Sequence, residues 1–218
     1  SAVIPLSNFA EGKYLLMATK HGFIKKTPLQ EFDSTRKTGL LSITLREDDE
    51  LIDVRLTDGE DNVVLVTNQG LCITFSEKDV RPMGRTAQGV IGIRLNDNDF
   101  VIGMESIISG NTDATLLAIT ENGFGKRTEL EEYRVQTRGG KGVITYKITP
   151  KTGSLVGIRI VSEKEDVMLI TENGTIIRLN VKDISILGRS TQGVTLMRTN
   201  EGKVVSIETI NPEESEEE

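Results

Sequence analysis

Short apolar runs recur along this chain at intervals of about fifty residues, and each run ends in a tight turn that contains a glycine. These turn glycines are Gly22, Gly70, Gly123 and Gly174. A second glycine keeps the same interval, at Gly39, Gly89, Gly142 and Gly193. Two landmarks that share one period indicate a fourfold internal repeat, and a period of about fifty residues is in the range of propeller blades.

Each repeat begins with a predicted hairpin. The first strands are Tyr14 to Thr19, Val63 to Thr67, Leu116 to Thr120 and Val167 to Thr171. In the third and fourth repeats the turn is Asn-Gly, which favours a type I′ hairpin because that turn needs positive φ at both central positions. A return strand follows, as at Phe23 to Thr27.

Two more strands complete each predicted repeat. After the second glycine, apolar and polar residues alternate, which is typical of a half-buried strand. The alternating apolar positions are Leu41, Ile43 and Leu45, then Ile91, Ile93 and Leu95, then Ile144, Tyr146 and Ile148. The closing strands are Leu51 to Val54, Phe100 to Gly103, Leu155 to Ile158 and Val204 to Ile207. We expect helix only as single turns, at 30–32, 77–80, 129–133 and 181–184.

The pattern predicts an all-β fold, an array of four blades of four strands each, because one small sheet cannot bury both of its faces alone. The repeat boundaries predict a lead-in at 1–12, blades at 13–61, 62–113, 114–165 and 166–210, and an acidic tail at 211–218. There is no stretch that could span a membrane and no signal peptide, so we expect a cytoplasmic protein. Cys72 is the only cysteine and is expected to be a buried thiol.

The net charge of −7 argues against a nucleic-acid partner, but five glutamates of the tail supply most of it. The positive residues recur in phase with the repeat, which predicts a basic rim along one edge of the array. Its expected members are Lys25, Lys26, Arg36, Lys37, Arg85, Lys126, Arg127, Arg138, Arg178 and Arg189. Regular cations suit the phosphates of duplex DNA, whereas exposed hairpins that carry charge only for solubility are the alternative.

The densest part of this rim is the heptapeptide Gln136–Gly142, which contains Gln136, Arg138, Gly139, Gly140, Lys141 and Gly142. Glycines allow the backbone to turn sharply and to present N–H groups to an anion. The spacing differs from that of a Walker A loop. We therefore predict a phosphate-backbone contact here, with a glycine-rich connector between blades as the alternative.

Residues suited to catalysis are scarce. His21 is the only histidine and lies in a predicted turn, and the acidic run 47–50 is explained by an exposed loop. We therefore expect no catalytic centre, metal or cofactor within this chain.

The four repeats and the sequence QTRGGKG resemble the C-terminal domain of the DNA gyrase A subunit, whose box reads QRRGGKG. Gln136, Arg138, Gly139, Gly140, Lys141 and Gly142 match the box, and Thr137 departs from it. The resemblance implies a β-pinwheel whose blades exchange strands and whose rim binds and wraps duplex DNA. That family usually has six blades with the box in the first, so the resemblance implies the last four blades here and a second, box-like element.

The resemblance also implies partners and cofactors. The partners would be duplex DNA, the rest of the gyrase A subunit and the gyrase B subunit. ATP and Mg would act elsewhere in the enzyme. The fragment is expected to be monomeric. Two alternatives stay open: the equivalent domain of the A subunit of topoisomerase IV, which has a degenerate box, and a propeller-type module that binds protein only.

Overall fold

The computed structural model describes residues 4, 9–34, 39–108, 113–199 and 202–211. Within them the strands are β1 (Tyr14–Thr19), β2 (Phe23–Pro28), β3 (Leu51–Thr57), β4 (Asn62–Thr67), β5 (Leu71–Ser76), β6 (Val90–Ile91), β7 (Val101–Ile107), β8 (Thr115–Thr120), β9 (Phe124–Glu129), β10 (Val143–Ile144), β11 (Leu155–Val161), β12 (Asp166–Thr171), β13 (Ile176–Asn180), β14 (Val194–Thr195) and β15 (Val204–Ile210). The all-β fold is confirmed.

In the described ranges helix occurs only as single 3-10 turns, as the sequence predicts. They are Leu29–Phe32, Glu77–Asp79, Leu130–Glu132 and Val181–Asp183. Each turn directly follows the second strand of a hairpin. The amide of the residue after the turn donates back to a carbonyl within it, as Val80 does to Glu77. No helix among the described residues has the length and the apolar content needed to cross a membrane.

The strands form four sheets, and in the first three of them one strand comes from the following repeat. The orders are β3-β1-β2-β6, β10-β5-β4-β7, β11-β8-β9-β14 and, with three described strands, β13-β12-β15. In the first sheet β6 of the second repeat pairs with β2, and Phe23 lies opposite Ile91. The strand exchange implied by the family resemblance is therefore present.

In the three sheets with an exchanged strand, the carbonyl of the turn glycine binds the segment that contains this strand. The Gly22 carbonyl accepts the amides of Gly92 at 2.8 Å and Ile93 at 3.1 Å. The carbonyls of Gly70 and Gly123 repeat the arrangement with residues 145–146 and 196–197. A Cβ atom on Gly123 would lie 2.2 Å from the Met197 carbonyl oxygen, so a side chain has no room there.

The hairpin turns differ from the predicted type I′. Only Asp48 and Asn98 have positive φ among the described non-glycine residues, so Asn122 does not take the required conformation. Instead the Gly123 amide donates to the Thr120 carbonyl, and Gly123 itself has φ of 75°. This is a three-residue loop, a type I turn followed by a left-handed glycine. The Thr120 hydroxyl accepts the Phe124 amide at 3.2 Å, which supports the same loop.

The strands after the second glycine are also shorter than predicted. They cover two residues each in β6, β10 and β14, and the described segment 39–46 contains no strand. The short strands pair with the residues of the preceding hairpin that directly follow its turn, such as Phe23 and Ile24. The chain then turns inward, and Ile93 and Tyr146 are buried. The described part of the chain has no hairpin ahead of β1, which leaves 41–45 without such a partner.

The chain divides into two compact units. The first comprises 1–65, 73–109 and 135–142, and the second comprises 66–72, 110–134 and 143–218. The core of the first unit includes Leu16, Ile24, Leu65, Phe75 and Met104. The core of the second unit is likewise mostly aliphatic and includes Leu117, Ile119, Val167, Leu169 and Ile207. Cys72 is buried and forms no disulfide.

Candidate nucleic-acid interface

Three arginines occupy equivalent positions in loops of the second, third and fourth repeats, and we call them the loop arginines. Each one binds a carbonyl of the preceding repeat and so holds its own loop against that repeat. They are Arg85, Arg138 and Arg189. Each donates from Nη1 to a carbonyl located two residues after the second glycine: Arg85 to Leu41 at 3.4 Å, Arg138 to Ile91 at 2.5 Å and Arg189 to Ile144 at 3.0 Å. The three side chains are half-buried, and a guanidinium has five N–H donors, so donors are left over for an anion.

Backbone bonds hold each of these loops in the same place. The amides of Thr44, Arg94 and Lys147 donate to the carbonyls of Ala87, Gly140 and Thr191, which lie two residues after the loop arginines. The separations are 3.4, 2.9 and 3.0 Å. Residue 94 therefore lies beside the loop of Arg138, and residue 147 lies beside the loop of Arg189.

This arrangement identifies a second set of in-phase cations that the sequence analysis missed. Arg94, Lys147 and Arg198 are exposed and each follows the second glycine of its repeat by the same number of residues. We call them the strand cations because each follows one of the short strands β6, β10 and β14. Their common spacing was a detectable signal in the sequence, but only the backbone bonds show that Arg94 and Lys147 lie next to loop arginines of the following repeat.

In the first unit these residues line a groove of about 430 Å³. Its walls are formed by Phe23, Arg46, Val90, Ile91, Arg94, Arg138 and Gly139. The Arg46 guanidinium lies 3.5 Å from the centre of the Phe23 ring and donates to the Gln88 carbonyl at 2.9 Å. Three arginines and no carboxylate among the lining residues make this groove suited to a phosphate group.

The heptapeptide Gln136–Gly142 contributes Arg138 and Gly139 to the lining of that groove. The Gln136 amide donates to the Thr74 carbonyl at 2.7 Å, and the Gly139 amide donates to the Gly92 carbonyl at 2.8 Å. Gly139 has φ of 79°, which favours glycine, and Lys141 is exposed. Because these backbone groups are engaged within the unit, the heptapeptide offers the Arg138 and Lys141 side chains to a ligand.

Four cations that the sequence analysis placed on the exposed rim are instead buried: Lys25, Lys26, Lys126 and Arg127. Lys26 donates to the Glu77 carbonyl at 2.8 Å, and Arg127 donates from Nε to the Ile184 carbonyl at 2.8 Å. These two side chains therefore connect their strands to the 3-10 turn of the following repeat. The expectation of exposure is wrong for all four, because period-two alternation assigns faces of a strand but not what covers them.

Burial also affects the protonation of the lysines. Desolvation lowers the pKa of Lys25 and of Lys126 to about 8, against a partial opposing effect of nearby Glu31 and Glu132 respectively. Desolvation likewise lowers the pKa of Lys26, and Glu77 opposes the shift. The geometry favours a role for these side chains within the protein, and a direct contact with DNA stays a prediction for them.

The remaining predicted rim residues are of two kinds. Arg178 is half-exposed and its Nε lies 2.6 Å from the Asp166 carboxylate, so its charge is already paired. Arg36 and Lys37 lie outside the described residues.

An acidic cluster lies elsewhere in the first unit. Carboxylate oxygens of Asp58, Asp61 and Glu77 approach within 4.8 Å of one another. The Glu77 carboxylate accepts hydrogen bonds from the Thr57 hydroxyl and from the amides of Gly59 and Asp61. Burial, with Asp58 and Glu77 adding to it, raises the pKa of Asp61 to about 6. These hydrogen bonds stabilise the loop that follows β3, which accounts for the cluster.

Four repeats that exchange strands between neighbours, and cations placed where consecutive repeats meet, define a propeller-type repeat protein with a cationic surface. A family model described as the DNA gyrase C-terminal domain, beta-propeller, matches residues 13–58, 61–108, 114–162 and 165–211. The chain belongs to this family.

Curated sequences that are similar to this chain include DNA gyrase A subunits. The DNA gyrase A subunit of Clostridium acetobutylicum is 51% identical over 216 residues, which are 99% of this chain and 26% of that protein. The DNA gyrase A subunit of Staphylococcus epidermidis is 46% identical over 197 residues, or 90% of this chain and 22% of that protein. The chain thus spans about a quarter of the length of these curated relatives.

Two solved structures share the fold. The C-terminal domain of DNA topoisomerase IV superposes with a TM-score of 0.90 at 30% identity, over 96% of this chain and 65% of that one. The DNA gyrase A C-terminal domain gives a TM-score of 0.84 at 26% identity, over 94% and 68%.

Proposed function

We propose that this chain binds and bends duplex DNA without reading its sequence, in the role of the C-terminal domain of a gyrase A subunit. The observation that carries the proposal is the groove in which Arg46, Arg94 and Arg138 converge with no carboxylate among the lining residues. Family membership and the gyrase relatives support it. In the second unit, Lys147 and Arg189 repeat the same pairing of a strand cation with a loop arginine.

The mechanism follows from the chemistry of these side chains. Arginine forks bind phosphate oxygens, and such contacts position a duplex without distinguishing its bases. Bending a few tens of base pairs costs about 1–6 kcal/mol, which several phosphate contacts offset. We expect little sequence preference beyond a preference for flexible DNA.

The holoenzyme role is part of the same proposal. The domain would support ATP-dependent negative supercoiling together with the rest of the gyrase A subunit, in complex with the gyrase B subunit, while ATP and Mg act in those other parts. It would work in the bacterial cytoplasm, on the nucleoid, and the fragment alone would be monomeric. The equivalent domain of topoisomerase IV is the second candidate, and the TM-score of 0.90 to that C-terminal domain favours it.

The test is duplex binding at several salt concentrations by fluorescence anisotropy. The variant Arg94→Gln/Arg138→Gln removes two phosphate contacts, so the slope of log K against log salt should become shallower by about 1.8. Each lost contact should change the affinity ratio between 50 and 200 mM salt by about 3.5-fold. Lys164→Gln removes an exposed charge outside this arrangement and should leave the slope close to that of the wild type.

Three outcomes separate the candidates. An unchanged slope in the double variant would remove this groove from the DNA contact, and no duplex affinity at all would favour a protein-binding module. Ligation of nicked circular DNA in the presence of the fragment then distinguishes wrapping from binding. A shift in linking number is expected for a gyrase-type domain, and binding without a shift would favour the topoisomerase IV alternative.

A further inference from the structure

Two lysine ammonium groups are buried directly beneath the loops that carry loop arginines. Lys25 on β2 and Lys126 on β9 occupy equivalent places in their repeats, and both residues have no solvent exposure. We call them the buried lysines. Burial of an ammonium group is costly unless it is hydrogen-bonded, so its acceptors indicate what the charge is used for.

All of the acceptors but Ser42 belong to the loops themselves. Lys25 Nζ donates to the Ser42 carbonyl at 2.5 Å and to the Arg85 carbonyl. Lys126 Nζ donates to the carbonyls of Gly188 at 2.6 Å and Arg189 at 2.7 Å. It also donates to the Thr191 hydroxyl at 3.1 Å. In both units the ammonium group therefore binds the main chain of the loop arginine itself.

These bonds orient the loop. A carbonyl that points inward to Nζ fixes the peptide plane at the loop arginine, and that plane determines where its side chain leaves the backbone. The same arginines are held at their tips, by Leu41 and Ile144. Each is thus held both at its backbone and at its guanidinium group.

Among the described residues, the loop of Arg138 has no buried lysine beneath it. Ile73 stands in the equivalent strand position, and its Cδ1 lies 3.5 Å from the place of a Cβ atom on Gly140. This loop has the glycines of the heptapeptide and the exposed Lys141. A cation is therefore present at each of these three loops, either beneath the loop or on its exposed side.

We propose that Lys25 and Lys126 are positioning residues for DNA binding, whose buried ammonium groups hold the loops of Arg85 and Arg189 and add positive charge beneath the bound phosphates. This inference rests on the proposed function and goes beyond it by assigning a role to charges that DNA does not touch. It also implies that DNA binding is coupled to the protonation of these two side chains.

The direction of that coupling follows from the groups around each lysine. Desolvation lowers the pKa of both to about 8; for Lys25, Glu31 raises the pKa and Arg85 lowers it, and for Lys126, Glu132 raises it and Arg189 lowers it. A phosphate bound above the loop adds a negative charge, which raises both pKa values. Near pH 8 each lysine is about half protonated, so DNA binding should take up as much as about half a proton per lysine.

The experiment is calorimetric titration of the whole chain with duplex DNA at pH 8, in two buffers with different ionisation enthalpies. The difference in observed heat gives the number of protons taken up. Wild type is expected to take up protons, and Lys25→Met/Lys126→Met is expected to lose the uptake and to bind about fivefold more weakly at low salt. Lys164→Met is the matched control and should keep both properties.

Each result decides the inference. Equal uptake in wild type and the double variant, or an affinity of the double variant equal to that of Lys164→Met, would overturn it. If the double variant does not fold, the wild-type uptake and the NMR titration of the two Nζ groups with and without DNA decide instead, and unshifted pKa values on binding would overturn it. Absence of any DNA binding by wild type would refute the proposed function itself, which is a distinct result.

Discussion

Replacing Gly123 by alanine should destabilise the second unit far more than the same change at Gly174. Both glycines end equivalent hairpin turns in that unit, with φ of 75° and 81°. They differ in what lies next to them. A Cβ atom on Gly123 would lie 2.2 Å from the Met197 carbonyl oxygen, whereas one on Gly174 would meet no described residue within 4 Å. The pair therefore separates backbone strain from the packing of the exchanged strand.

The magnitude follows from these contacts. Alanine in the left-handed region costs about 1–2 kcal/mol, which applies to both variants. At Gly123 the clash must also displace β14, which breaks the bonds from the amides of Leu196 and Met197 to the Gly123 carbonyl. Two such bonds contribute about 2 kcal/mol together. We expect the free energy of unfolding to fall by about 1–2 kcal/mol for Gly174→Ala and about 3–4 kcal/mol for Gly123→Ala.

Equilibrium urea denaturation measures both changes, and hydrogen exchange at the amides of Leu196 and Met197 reports the exchanged strand directly. These amides should exchange faster in Gly123→Ala and at the wild-type rate in Gly174→Ala. Equal destabilisation of the two variants, with protected amides at both positions, would show that β14 does not depend on the turn glycine.

Three further predictions concern two single side chains and the acidic tail. Asp61 has a pKa raised from 3.8 to about 6, so the native state binds this proton more tightly than the unfolded chain and stability falls as pH rises between those values. Asp61→Asn should abolish that decline and be more stable than wild type at pH 7 by urea denaturation; an unchanged pH profile would contradict the assignment. Thr120→Val removes the acceptor of the Phe124 amide and should cost about 1 kcal/mol, whereas Thr120→Ser should cost less, and equal losses would argue against the hydrogen bond. Deletion of the acidic residues Glu213–Glu218 should tighten DNA binding at low salt if they compete for the cations, and unaltered affinity would mean that they do not.

Much of the fold could be predicted from repetition. The hairpin strands and the single helical turns follow from apolar runs and turn residues, because these depend on neighbours in sequence. The type of turn could not be predicted in the same way. Asn-Gly is compatible with more than one turn, and the three-residue loop is selected here by the left-handed glycine together with the Thr120 hydroxyl.

The candidate site was predicted in part. The in-phase spacing located Arg85, Arg138 and Arg189, and the heptapeptide contributes Arg138 and Gly139 to an arginine-lined groove. The same spacing placed Lys25 and Lys126 on an exposed rim, although both are buried. Spacing identifies equivalent positions in a repeat, but it does not show whether the next repeat covers them.

The sequence by itself determined the all-β class, the fourfold repeat and the presence of regularly spaced cations, because periodicity is a property of the chain alone. The tertiary structure decided which cations face a ligand. Exchanged strands and the following loops cover Lys25 and Lys126, whereas Arg94 and Arg138 are brought together from different repeats. The physical reason is that burial and proximity depend on which segment packs against which, and in this protein the decisive partner of each residue lies about one repeat further along the chain.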